Sequence, residues 1–213
     1  MTRQPGRPTH ISALLPGALL PAILLLAAAP AAAQAPPAPP SWSLTPSMAL
    51  VHFTDVGVDG ESGSVRFSRS ISVGLTAGRA LGPVTLLLGL EYLSAGFQVR
   101  DEFVNIETAA AGLSRTRLSL LARRTIGHLG HARLSLGAGP TLDIWSPDGA
   151  DSRTAAGAEA QLSLALDAGP FTLENGIGAG FSAGPLEAAD LPDGYEKRSM
   201  RTVAMRIAAR FSL

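Results

Sequence analysis

The stretch VAMRIAARFSL, residues 203–213, alternates strictly between two sets of side chains. The set that starts with Val203 and ends with Leu213 is apolar, and the other set carries Arg206 and Arg210. A period of two over this length predicts a β-strand with one apolar face and one arginine-bearing face. About ten residues is also the length of a tilted strand that crosses a bilayer. The stretch therefore predicts a membrane-spanning strand that closes a sheet.

Seven earlier stretches also have strand patterns, and the connections between them alternate between long and short. The long connections are predicted at 55–69, 99–112, 146–154 and 183–199, and the short ones at Gly82-Pro83, Gly127 to Gly130 and Gly169-Pro170. This order is one hairpin repeated four times, at a period of about 45 residues. Outer-membrane barrels have an even strand number, short periplasmic turns and longer outward loops. We therefore predict an all-β, eight-stranded antiparallel up-and-down transmembrane barrel over residues 42–213.

The beginning of the chain is predicted to lie outside this fold. Arg3 and Arg7 precede an apolar stretch, and Ala31 to Ala33 supply the small residues that a signal peptidase reads, so 1–33 is predicted to be a signal peptide. A retained anchor is the alternative, although the apolar core is shorter than the about 18 residues of a spanning helix. Residues 34–41 are predicted to be a stiff proline-rich leader.

Composition excludes several classes of protein. The absence of cysteine excludes disulfides, thiolate metal sites and a lipid-attachment cysteine. A formal net charge of zero argues against nucleic-acid binding, which needs a basic face. Lys197 is the only lysine, whereas a soluble secreted domain normally carries both signs of charge with lysine among them. After the signal peptide no apolar run reaches helical spanning length, so a membrane form has to be a barrel.

Alternation alone does not decide whether the apolar face meets lipid or lines a cavity, and a soluble lipocalin-like carrier is the alternative. The first strand, within 44–54, is ambiguous because both its faces are mostly apolar. Elsewhere the apolar face is aliphatic with aromatics near strand ends, which is typical of a lipid-facing band. The opposite face mixes small residues with charges of both signs, which suits a narrow polar lumen.

The charges on the second face are predicted to form a structural network of salt bridges, because an unpaired charge in a narrow lumen is costly. By strand parity the network comprises Glu91, Arg115, Arg117, Arg123, Arg133, Asp143, Glu159, Asp167, Glu174, Arg206 and Arg210. Register predicts that Glu91 pairs with Arg117, and that Glu174 pairs with Arg206 or Arg210.

In strand pattern, alternating connections and closing strand, Leu44 to Leu213 resemble the small eight-stranded outer-membrane β-barrels of bacteria, the group that includes the membrane domain of outer membrane protein A. The resemblance implies an outer-membrane location, contact with lipid and lipopolysaccharide, a monomer, and recognition of the last strand by the barrel-assembly machinery. The family's last strand usually ends in an aromatic residue. This chain departs from that pattern, because Leu213 is last and Phe211 lies two positions earlier on the same face.

No catalytic, cofactor-binding or metal-binding residue is predicted. The alternating Gly176, Gly178 and Gly180 lack the following helix of a nucleotide loop and are expected to leave space in the lumen. A lipid A deacylase needs a serine, a histidine and an acid near the outer rim, but His128 and His131 are predicted at the periplasmic end. The outward loops are acidic but contain no ordered calcium-binding spacing.

These patterns predict a non-enzymatic outer-membrane protein with a structural or surface-interacting role through its four outward loops. The first alternative is a narrow passive pore for small solutes, since side chains nearly fill an eight-stranded barrel. A lipid-modifying enzyme that uses His52 is the second alternative. The soluble carrier is the third.

Overall fold

The structure is a computed structural model that describes residues 41–213 except 56–57, 61–62, 68, 102–104, 148–150, 184–195 and 198. Side chains are described for 41–53, 69–96, 113–146, 151–183 and 199–213. The predicted signal peptide and all but the last residue of the predicted leader lie outside the described residues, as do the side chains of most of the loop acids. Within these ranges no helix is long and apolar enough to cross a membrane.

The described chain is all β. Short turns alternate with longer connections between its barrel strands. The strands are β1 (Trp42–Asp55), β2 (Val58–Gly60), β3 (Gly63–Phe67), β4 (Ser70–Leu81), β5 (Val84–Asp101), β6 (Asn105–Leu129), β7 (Ala132–Pro147), β8 (Arg153–Asp167), β9 (Thr172–Ala183), β10 (Glu196–Lys197) and β11 (Ser199–Ser212).

Eight of these strands close into a barrel in which every neighbouring pair is antiparallel. The order around the barrel is β1, β4, β5, β6, β7, β8, β9 and β11, and β11 pairs with β1. At this seam Ser43 lies opposite Ser212, and the N–H of Leu213 donates to the carbonyl oxygen of Trp42 at 2.9 Å. The prediction of a closed eight-stranded up-and-down barrel is confirmed.

Each of the three short turns has a glycine in the left-handed region as the first of its two central residues, and Ala168 and Phe171 flank these two residues in the third turn. Gly82, Gly130 and Gly169 have φ of 63°, 61° and 76°. Tight two-residue hairpin turns need positive φ at this position, which glycine adopts without a steric penalty. Gly127 was predicted to belong to the middle turn, but it lies within β6 opposite Leu134, where the register shifts. The middle turn is therefore shorter and lies farther along the chain than predicted.

The outward connections contain more strand than predicted. β3 pairs with 97–101 of β5, continuing the line of β4, and β2 and β10 extend the sheet from β3. The β5–β6 hairpin also continues outward to the pairing of Arg100 with Asn105. The sequence pattern missed these strands because backbone pairing outside a bilayer does not require an alternating apolar face.

The two faces of the barrel wall differ sharply in chemistry. The outer face carries a belt of aliphatic side chains, and Ile71, Leu88 and Met205 are 60–63% exposed in it. The inner face holds the charged side chains and many serines, threonines and glycines. Such an apolar exterior is the surface of a membrane-spanning barrel. The alternative of a soluble carrier is wrong, because a carrier would have these faces reversed.

The structure also resolves the orientation of the first strand. Leu44, Met48 and Leu50 of β1 point outward, whereas Val51 and Phe53 point into the barrel. These inner residues pack in a buried apolar cluster at the outer end of the lumen, the outer cap. Both faces of β1 are therefore apolar for different reasons, since one meets the membrane and the other fills the cap.

Candidate functional site in the barrel lumen

The lumen contains all eleven charged residues of the predicted network. β5 to β9 and β11 supply them from inward-facing positions, which recur every second residue along a strand. Each of the eleven makes at least one ion pair with another member of the set. The pairs form two groups at different heights in the barrel.

The first group lies midway along the lumen, and its strongest contact joins Arg117 to Asp143. Arg117 donates from Nε to Oδ1 of Asp143 at 2.6 Å and from Nη2 to Oδ2 at 2.9 Å. Its Nη1 also donates to Oε2 of Glu159 at 3.3 Å. The two parallel bonds to one carboxylate make a bidentate pair, the geometry for which a guanidinium is best suited. Asp143 is fully buried, so its charge depends on this partner.

Glu91 joins the rest of the first group. Its Oε1 accepts from Nη2 of Arg115 and its Oε2 from Nη2 of Arg206, both at 2.9 Å. Arg206 also donates from Nη1 to Oε1 of Gln161 at 2.9 Å. This central cluster comprises Glu91, Arg115, Arg117, Asp143, Glu159 and Arg206. Three arginines face three carboxylates, so the central cluster is electrically balanced.

The second group, the mouth cluster, lies at the end of the barrel that carries the short turns, which in outer-membrane barrels faces the periplasm. Arg123 contacts Oε2 of Glu174 and Arg210 contacts Oε1 of the same carboxylate, both at 2.9 Å. Arg133 pairs with Asp167 at 2.6 Å, and Thr172 donates its hydroxyl to the same Asp167 oxygen. Three arginines share two carboxylates here.

Backbone register alone does not identify the ion-pair partners. Glu91 and Arg117, the pair predicted from register, lie opposite each other on β5 and β6 but contact other partners. The Glu91 carboxylate contacts Arg115, and the Arg117 guanidinium contacts Asp143. Glu174 contacts Arg210, which lies two residues beyond its register partner Ala208. Among the lumen ion pairs described above, only Arg117 and Asp143 are also register partners, on β6 and β7. The other arginine side chains lean along the strand or reach across the lumen, so their partners depend on height in the barrel.

Glycines in β9 provide the space that the central cluster occupies. A Cβ on Gly178 would lie 3.3 Å from Oε1 of Glu159, and one on Gly180 would lie 3.5 Å from Nη1 of Arg117. Larger side chains at these positions would displace the charged groups. These inward-facing glycines lie within a strand and have no helix after them, so they do not form a phosphate loop.

The outer cap seals the lumen above the central cluster. Phe53 and Trp145 pack against each other with ring centroids 6.3 Å apart, and the guanidinium carbon of Arg115 lies over both rings, 5.7 Å and 5.6 Å from their centroids. Among the described residues Nε and Nη1 of Arg115 have no hydrogen-bond acceptor, and the ring faces take that place. Sequence reasoning did not assign Phe53 and Trp145 to the lumen. The parity of β7, which places Trp145 on the same face as Asp143, was the available signal.

The histidines and acidic residues that the structure describes do not converge on a metal site. No group of three or more histidine, aspartate or glutamate side chains is placed to hold a metal ion among them. His52 points outward from β1, away from the lumen carboxylates. His128 pairs with Arg133 in backbone register near the periplasmic turn, and His131 lies in that turn.

Comparisons with known proteins agree with this architecture. No family model matches the sequence, and no curated protein matches it either. The fold is similar to the crystal structure of Neisserial surface protein A, with a TM-score of 0.57, 13% identity and coverage of 82% of this chain and 99% of that one. It is equally similar to the outer membrane protein OprG from Pseudomonas aeruginosa, with a TM-score of 0.58, 11% identity and coverage of 81% and 95%. The predicted resemblance to small outer-membrane barrels is confirmed at the level of fold.

Proposed function

We propose that this chain is a closed, non-enzymatic protein of the bacterial outer membrane that holds its outward strands and connections at the cell surface. The observation that carries the proposal is the blocked lumen. Arg115, Asp143 and Trp145 are at most 1% exposed, and they lie on adjoining strands of the barrel wall. A barrel that is filled in this way serves as an anchor, so a role in contact with other molecules falls to its outward segments.

The small size of the inner spaces supports a lumen without a through-path. The cavity beside the central cluster measures about 50 Å³, which is room for only a few water molecules. Above it the outer cap is apolar, and its members Leu93, Leu113 and Met200 are buried. An ion crossing the lumen would have to break buried salt bridges and then pass an apolar plug, and both steps are costly.

The same proposal covers partners and assembly. The aliphatic belt is a surface for lipid and lipopolysaccharide chains, and β11 presents Val203, Met205 and Ile207 on that surface. A strand of this kind at the seam is the expected contact of the barrel-assembly machinery. The barrel closes on itself through the pairing of β1 with β11, so the proposed state is a monomer.

Conductance in planar bilayers tests the proposal. The unaltered protein should carry no steady ion current. Trp145→Ala combined with Arg115→Ala removes the two largest buried side chains at the junction of the cap and the central cluster, and should raise conductance at least several-fold above the baseline. Leu88→Ala, on the lipid-facing side, is the matched control and should leave the baseline unchanged. A steady current through the unaltered protein would instead favour the narrow passive pore.

The non-enzymatic part of the proposal has its own readout. Mass spectra of lipid A from cells that produce the protein and from cells that lack it should be identical. A shifted lipid A mass that disappears in His52→Ala would establish the lipid-modifying alternative.

A further inference from the structure

The periplasmic end of the lumen opens into a cavity that is much larger than the spaces above it. Its volume is about 420 Å³, within the range of about 300–1,000 Å³ that small-molecule sites occupy. The turn residues Gly169 and Pro170 form part of its wall, so it faces the periplasm. The arginines Arg123, Arg133 and Arg210 also line it.

The charge of this cavity is not balanced. Arg123 and Arg210 share the single carboxylate of Glu174, and Asp167 is the only other acidic partner in the mouth cluster. The central cluster above is neutral, with three charges of each sign, so it supplies no compensation. Among the residues that the structure describes, three guanidinium groups against two carboxylates leave a surplus of one positive charge beside open space.

One of the two carboxylates is weakly held. The side chains of Arg133 and Asp167 are 38% and 61% exposed, and an ion pair with that exposure contributes little stability. A ligand anion that entered the cavity would compete with Asp167 for Arg133 without breaking a buried contact. The guanidinium fork suits carboxylate and phosphate groups in particular, because it donates two parallel hydrogen bonds to them.

We infer that the periplasmic mouth is a binding site for a small soluble anion bearing a carboxylate or phosphate group, with Arg133 and Arg210 as its main contacts. Asp167 acts in this site as an internal competitor. The ligand enters from the periplasm and does not cross the barrel, because the central cluster and the outer cap close the lumen above it. This assignment goes beyond the anchoring role and does not depend on it.

Isothermal titration calorimetry with inorganic phosphate tests the inference on the whole refolded barrel in an uncharged maltoside detergent. The unaltered protein should show saturable binding in the millimolar range. Arg133→Gln should weaken binding at least fivefold, and Asp167→Asn should strengthen it at least fivefold by removing the competitor. Arg201→Gln is the matched control, because Arg201 lies on β11 opposite Phe181, at the outward end of the barrel and away from the cavity; the phosphate affinity of this variant should be unchanged.

Arg133→Gln and Asp167→Asn are expected to change the phosphate affinity in opposite directions, so either one tests the inference if the other fails to refold. Absence of saturable heat up to about 50 mM phosphate for both the unaltered protein and Asp167→Asn would overturn the inference, as would equal affinities in all refolded variants. Nanodiscs distinguish a soluble ligand from a lipid headgroup. Equal phosphate affinity in phosphatidylcholine and phosphatidylglycerol discs supports the soluble ligand, and a loss confined to phosphatidylglycerol would overturn it.

Discussion

At the scale of single residues, the burial of a charge in the lumen determines how much its ion-pair partner contributes to the stability of the fold. Arg117 satisfies the fully buried Asp143 with two hydrogen bonds, whereas Arg133 contacts an exposed Asp167 at the periplasmic mouth. Removing one partner of a buried pair leaves an uncompensated charge, while an exposed pair exchanges its partner for water. The two arginines should therefore respond very differently to the same substitution.

We expect Arg117→Met to lower the free energy of unfolding by about 3–5 kcal/mol. Arg133→Met, the matched control, should change it by at most about 1 kcal/mol. Urea titration in lipid vesicles, followed by the gel mobility of the folded and unfolded forms, measures both. Adding Asp143→Leu to Arg117→Met should recover part of the loss, because the buried charge is then gone. Equal losses for the two single variants would contradict a buried network.

At the scale of strands, sequence reasoning predicted some features well and others poorly. The alternation of β11 predicted which of its residues face lipid, and the Gly-Pro pairs predicted two of the three short turns. The outward half of the β5–β6 hairpin was missed because its pairing shows no apolar period. β1 was ambiguous because Val51 and Phe53 belong to an apolar cap inside a lumen otherwise lined by polar groups.

The candidate site, too, could be predicted only in part from the sequence. Parity selects the inward charges, since a strand that places Asp143 in the lumen also places Trp145 there. Parity does not select partners, since the Arg206 side chain reaches Glu91 on a strand that is not its neighbour. Partner choice depends on the stagger of the strands and on space left by Gly178 and Gly180, and both are properties of the closed barrel.

The orientation of the strands across the membrane predicts which connections an antibody reaches. Asp151 and Ser152 are exposed between β7 and β8, on the outward side. An epitope inserted between them should be labelled on intact cells. An epitope inserted between Gly169 and Pro170, in a periplasmic turn, is the matched control and should be labelled only after the outer membrane is permeabilised. Labelling in the opposite pattern would mean that the barrel is inverted.

At the scale of the whole molecule, the seam between β1 and β11 and the aliphatic belt predict how the protein behaves outside a membrane. We expect the chain from Gln34 onward to refold only in detergent or lipid and to migrate on a gel at a different apparent mass before and after boiling. A closed barrel resists unfolding by the gel detergent until it is heated, and boiling separates the strands. A protein that stays soluble without detergent and shows no shift would contradict the membrane barrel.

The seam also has a consequence for biogenesis. Ser43 pairs with Ser212, so the contact that completes the barrel joins almost the two most distant positions of the described chain. Contacts between residues far apart in sequence form slowly, and apolar surface is exposed until they do. No early segment can close the barrel ahead of β11, so we expect a chain on its way to the outer membrane to pass the aqueous periplasm with its belt uncovered. We therefore expect the unclosed strands to need shielding from one another until β11 arrives.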